Sequence, residues 1–211
     1  MVMMGAEEKR AALAALRAEA VRALAPLMTS DQTQVVFGAG DPASPLALVG
    51  EAPGPREDRE GVPFVGPSGE LLTRVLEALG LDRQQLWITN VVKVWPTRRQ
   101  GRSRRTRPPN AAERHASRPF FEREMAIVRP RAIVLLGGTA AQEVVGRRLK
   151  VSEARGQWFE TPFGAPALVT FHPSYIRRLQ GMDPARGAQA LAAFRNDLRR
   201  AAQRAGLLDE E

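Results

Sequence analysis

The chain alternates between two apolar periodicities. Leu13, Leu16, Val21 and Leu24 recur at helical spacing in an Ala-, Glu- and Arg-rich stretch, which predicts a helix over residues 6–25 on the outside of the domain. Short apolar runs at Gln34–Phe37, Pro45–Val49, Leu86–Val92 and Arg131–Leu136 read as strands, the last apolar throughout, as a strand covered on both faces is. Gly69–Leu79 reads as a helix with Leu71, Leu72, Val75, Leu76 and Leu79 as its apolar stripe and Gly80 as its C-cap. Another helix runs to Val128 from an Asn110 N-cap, with Glu113 as capping-box partner. A helix also starts at Gly137-Gly-Thr139. Gln157–Thr170 reads as a hairpin about the Pro162–Pro166 turn that delivers Phe171–Ser174 into a loop, and Pro184–Ala205 is the closing helix. This order predicts a three-layer α/β/α sandwich with a central, mainly parallel sheet of about four strands, in one domain spanning residues 1–211.

Such a sheet gathers its strand ends on one edge, where ligands bind in open α/β folds. The Leu46–Val49 run empties into a tight loop after Gly50 that carries Glu51, Glu57 and Asp58, and the glycine-rich Gly61–Gly69 follows at once. Asn90 sits near the end of the next strand and His172 just past the hairpin. Topology therefore brings Glu51, Asn90 and His172 towards one place.

Composition narrows the chemistry. Lys and Arg number 31 against 23 Asp and Glu, a net charge of +8, and the excess is mostly arginine, whose planar fork suits phosphate. A compositional bias towards arginine and alanine would give the same excess without a phosphate partner. The cysteine count of zero excludes disulfides, thiolate catalysis and cysteine-held metal, and 2 histidines are too few for a multi-histidine site. No apolar run is long enough to span a membrane, and the residues after Met1 lack the apolar core of a signal peptide, so a cytoplasmic protein with no membrane partner is expected.

Four motifs then line up in order: Gly50-Glu-Ala-Pro-Gly54, Pro63-Phe-Val-Gly66 with Ser68-Gly69, Thr89-Asn-Val-Val-Lys93 and His172-Pro-Ser174. From about Thr33 to Arg178 the chain resembles the uracil-DNA glycosylase superfamily, above all its family 4, the iron–sulfur branch, and the related branch that crosslinks to uracil-DNA. The resemblance implies a base-excision site: uracil is flipped out of the DNA, and charge of both signs is stabilised as the glycosidic bond breaks. On that reading Asn90 pairs with uracil O4 and N3–H, Phe64 stacks on the base, His172 donates to O2, and Glu51 and Ala52 complete the base pocket. Glu51, Glu57, Asp58 and His172 are the implied catalytic residues, with Glu57 and Asp58 positioning water or stabilising the sugar cation. Ser68, Lys93, Ser174 and Arg177 are implied DNA contacts, joined by Arg98, Arg99, Arg102, Arg104, Arg105 and Arg107.

The chain departs from the family in two ways. The four cluster cysteines of family 4 correspond to positions near Arg22 and Ala25, to Val94 and to Ser117, so no [4Fe–4S] cofactor and no metal is expected, with Val94, Trp95 and the N-terminal helix filling the space. Residues 93–107 carry 7 cations and no acid in a segment expected to be a loop, where the crosslinking branch places an arginine-rich insertion with a nucleophilic histidine. No histidine occurs in it here, so crosslinking through one is excluded, and phosphate binding is the expected use. The expectation is a monomeric, monofunctional uracil-DNA glycosylase acting on single- or double-stranded uracil-containing DNA in base excision repair. The alternative is a catalytically weak or inactive protein that binds uracil-DNA or single strands on the same fold.

Overall fold

The computed structural model describes residues 4–28, 32, 34–100 and 103–209. The first helix, α1 (Ala6–Leu24), buries Leu13, Leu16, Ala20 and Leu24, whereas Val21 is 45% exposed. The inward stripe advances by three and four residues, and Val21 lies one position, about 100°, off it.

Strands β1 (Ala39–Gly40) and β2 (Leu46–Gly50) precede the short helix α2 (Pro55–Glu60) and α3 (Pro67–Glu77). Then come β3 (Trp87–Asn90), the two strands β4 (Thr97–Gln100) and β5 (Ser103–Thr106), and α4 (Ala111–Val128). The chain continues through β6 (Ala132–Leu136), α5 (Gly138–Val145), α6 (Val151–Ala154), β7 (Trp158–Phe159), β8 (Ala167–Thr170), α7 (Pro173–Met182) and α8 (Pro184–Ala205). The main sheet has the order β1-β3-β2-β6-β8-β7, in which the four central strands are parallel and the two-residue edge strands antiparallel.

Strand alternation divides the core in two. Leu46, Leu48, Ile88, Ala132 and Val134 pack against α3 and α8, while Ala47, Val49, Trp87, Ile133 and Leu135 pack on the face covered by α1 and α4. This is the expected three-layer sandwich. The hairpin at Gln157–Thr170 forms as β7 and β8, and the Asn110–Glu113 capping box closes in both directions at 2.8 and 2.9 Å.

Three expectations are corrected. Gln34–Phe37 makes no strand: Val35, Val36 and Phe37 are buried, but Val36 N–H bonds the Lys93 carbonyl at 2.8 Å, and the sheet edge is taken by β1. Gly40 permits that edge, because it has φ +110° and a Cβ there would collide with the Leu86 carbonyl. The arginine-rich segment is a hairpin, not a loop; its register sets Arg98 opposite Arg105 and Arg99 opposite Arg104. With arginine on both faces it shows no apolar alternation by which to recognise a strand. The supposed loop at Phe171–Ser174 is shorter than expected: α7 already starts at Pro173, with His172 as its N-cap.

Candidate active site

A cleft of about 1050 Å³ opens over the carboxyl ends of β2, β3, β6 and β8. β2 ends at Gly50, packed against two residues of the cleft wall. A Cβ there would collide with both Asn90 Oδ1 and the Phe64 ring, so the bare glycine lets carboxamide and aromatic edge close over the end of β2.

Phe64 occupies the left-handed region at φ +54°, a costly conformation for a residue with a Cβ. Its neighbours hold it there. The Arg83 guanidinium donates to the Pro63 and Phe64 carbonyls at 3.1 and 2.9 Å, and Glu57 Oε1 accepts the Val65 and Gly66 N–H groups at 3.1 and 2.8 Å. Glu57 Oε2 takes the Gly54 N–H at 3.1 Å. Glu57 thus lines the cleft with both oxygens engaged by backbone, which makes it a clamp on the two glycine-rich loops. Asp58 is buried and lies outside the cleft lining, so it is not placed to act on a sugar there.

Asn90 is 2% exposed, borders the cleft, and its Oδ1 has no hydrogen-bond partner. A buried acceptor left open at a cleft is costly unless something completes it. Across from it stands His172, whose ring centroid is 5.9 Å from that of Phe64. His172 caps α7: its Nδ1 accepts the Ser174 N–H at 3.1 Å and faces the Ser174 hydroxyl at 2.8 Å. An Nδ1 that accepts carries no proton, so the neutral ring bears its hydrogen on Nε2. Burial, with the Arg178 charge nearby, pushes the imidazole down to about 4. Gly137, at φ +97°, ends β6 against the His172 Cβ.

Glu51 is half-buried at the cleft, and burial raises its carboxyl above the ordinary range despite the Thr139 hydroxyl and the Arg114 charge, which act the other way. Ala52, Ser68, Ser174 and Arg177 also border the cleft. Sequence reasoning missed Thr139, Tyr175 and Arg178; Thr139 alone carried a signal, at the glycine-led start of the helix after a strand end.

The basic residues divide. Arg98, Arg99 and Arg105 are exposed on the β4–β5 hairpin, and Arg104 is half-buried with Thr97 Oγ1 at 3.0 Å. Arg102 lies outside the described residues. Arg107 borders the cleft, but its guanidinium grips Glu113 through two 2.7 Å bonds and the Thr97 carbonyl at 2.9 Å, closing the hairpin onto α4. Lys93 is not a DNA contact: it is fully buried and paired with Glu124 on the α4 face of the sheet.

The positions corresponding to the cluster cysteines do not fit a metal. Arg22 and Ala25 are exposed, Val94 is fully buried, and Ser117 Oγ accepts the Lys93 N–H at 3.1 Å. Among the described residues no group of three or more His, Cys, Asp or Glu side chains could hold a metal ion, and no helix is long and apolar enough to cross a membrane.

A carboxamide at one parallel strand end, a neutral imidazole just past another and an aromatic ring from the loop between α2 and α3 border one cleft of an α/β protein. Residues 37–199 match the sequence model of the uracil DNA glycosylase superfamily. The type-4 uracil-DNA glycosylase of Thermotoga maritima is 37% identical over 149 residues, 70% of this chain and 74% of that protein. Those of Sulfurisphaera tokodaii and Pyrobaculum aerophilum are 35% and 36% identical, over 68% of this chain and 66% and 73% of their own lengths. The chain belongs to the uracil-DNA glycosylase superfamily and is a DNA glycosylase, a hydrolase of N-glycosyl bonds.

Proposed function

We propose that this protein is a monofunctional uracil-DNA glycosylase that hydrolyses the N-glycosidic bond of deoxyuridine in DNA, working as a one-domain monomer without an iron–sulfur cluster. The observation that carries the reading is the open Oδ1 of Asn90 beside the Phe64 ring. A flipped uracil completes it: N3–H donates to Oδ1 and the carboxamide NH₂ donates to O4. Cytosine offers an acceptor and an amine at those positions and leaves both groups mismatched.

As the bond from C1′ to N1 breaks, its electron pair passes into the uracil ring and charge grows on O2. The hydrogen on His172 Nε2 is available to that oxygen, and a neutral donor fits because the ring is held well below its ordinary pKa. Water adds to C1′ and gives up a proton. Of Glu51, Glu57 and Asp58, Glu51 borders the cleft without being committed to loop backbone, and its raised carboxyl suits a general base. Arg177 and the hairpin arginines meet the phosphates, and Ser68 and Ser174 border the strand's path.

The test is a uracil-containing oligonucleotide incubated with the protein and then treated with alkali. Strand breakage at uracil only after alkali is expected. Breakage without alkali overturns the monofunctional reading. Tight binding with no abasic site formed leaves a uracil-DNA binding protein on a glycosylase fold.

A further inference from the structure

We propose that Lys93 is a positioning residue for Asn90, holding the base-reading carboxamide from the opposite face of the sheet; this rests on the uracil reading of the site. Alternation along β3 sends Asn90 to the α3 side and Thr89 to the α4 side. Three residues on, the Lys93 side chain turns back beneath the strand. Its ammonium donates to the Asn90 backbone carbonyl at 2.7 Å, to Thr89 Oγ1 at 2.8 Å and to Glu124 Oε2. Three N–H donors meet three acceptors in a site with no exposure, between the Phe37 and Phe121 rings at 4.9 and 5.4 Å. Glu124 is itself held, accepting from Thr89 Oγ1 and, at 3.0 Å, from the Gly38 N–H.

The consequence falls on the peptide between Asn90 and Val91. Its N–H bonds the Gly50 carbonyl at 3.0 Å and its carbonyl bonds the ammonium, so the peptide plane is pinned from both ends. Asn90 Oδ1 has no bond of its own to orient it, so the aim of the carboxamide follows from that plane and from the ring packed beside it. A buried ion pair is a poor way to gain stability, since two apolar groups of similar volume often do as well or better. Here it supplies what an apolar pair cannot, a fixed donor to one carbonyl.

The two roles separate in an experiment. Lys93→Met with Glu124→Leu removes both charges, and thermal melting reports whether the fold survives. The expected result is a melting midpoint at or near wild type with single-turnover uracil excision down about 10²-fold, the loss typical of misplacing a reacting group by about 1 Å. Glu124→Gln, which leaves a Lys93 N–H for the Asn90 carbonyl whether the amine is charged or neutral, retains most of the rate in protein that melts as a folded domain. The deciding measurement is a cycle with Asn90→Ala: once the positioned side chain is gone, exchanging Lys93 and Glu124 costs little more. An equal loss in both backgrounds, or no loss in either, overturns the proposal. Should the apolar pair not fold, Lys93→Gln with Glu124→Gln makes the same comparison. If wild-type protein excises nothing, the glycosylase reading fails instead. The cycle is then read on binding of a uracil-containing oligonucleotide, where additive losses overturn the positioning role and non-additive ones support it.

Discussion

His172 Nδ1 accepts the Ser174 N–H at 3.1 Å, so one contact caps α7 and places the imidazole hydrogen on Nε2. Protonation must break it, because an imidazolium has no acceptor. The folded pKa, about 4, lies below the ordinary 6.5, so the unfolded chain binds the proton first as pH falls. Stability from this group is whole above pH 6.5 and is lost progressively between 6.5 and 4. Melting midpoints from pH 8 to 4 should show that decline, and His172→Gln should show less of it. Glu51 adds to the acid loss of activity, since its raised carboxyl protonates earlier than an ordinary glutamate.

At neutral pH, His172→Ala should slow single-turnover excision by about 10²–10³-fold while affinity for uracil-DNA changes little, the cost of removing one donor aimed at a growing oxyanion. Comparable loss of binding and rate would instead make the histidine a structural cap.

Asn90→Asp replaces the NH₂ donor by a second acceptor. Uracil excision should fall steeply, and the ratio of cytosine to uracil excision should rise, as measured on matched oligonucleotides. An unchanged ratio would mean that Asn90 does not read the base edge.

Glu57 should behave as a clamp. Glu57→Ala leaves three loop N–H groups without their carboxylate and Phe64, at φ +54°, with only the Arg83 contacts to hold it, and should lower stability by about 2–4 kcal/mol in denaturant titration. Glu57→Gln keeps one acceptor and should retain most of its excision rate. A loss with Gln as large as that with Ala would restore a catalytic role.

Arg98 and Arg105 face each other across the hairpin, a like-charge pair that destabilises it until an anion intervenes. Replacing both with Ala should flatten the salt dependence of DNA affinity by about two units of slope and leave base choice unchanged. Arg107→Ala should act differently, lowering stability by about 1–3 kcal/mol because the buried Glu113, 5% exposed, loses its guanidinium and keeps only the Asn110 N–H.

What could be read from the sequence was whatever a local pattern determines. The parallel strands announced themselves by short apolar runs, and their ends placed Glu51, Asn90 and His172 at one cleft. Lys93 was misread because burial is decided at a distance: its partner Glu124 lies 31 residues away on α4. Gln34–Phe37 looks like a strand because a buried coil needs the same residues. Of the acidic trio, only the folded loops show that Glu57 is spent on backbone and that Asp58 lies outside the cleft.

The two faces of β3 also bear on how such a protein can change over generations. The positions matching the family's cysteines belong to the α1–α4 layer or the strand exit behind it, whereas Phe64 and the side chain of Asn90 belong to the other side. Replacements can therefore accumulate in one layer while selection holds the other constant, provided the Lys93 bridge between them persists. A sheet one residue thick acts as a partition between the cleft chemistry on one side and the scaffold on the other.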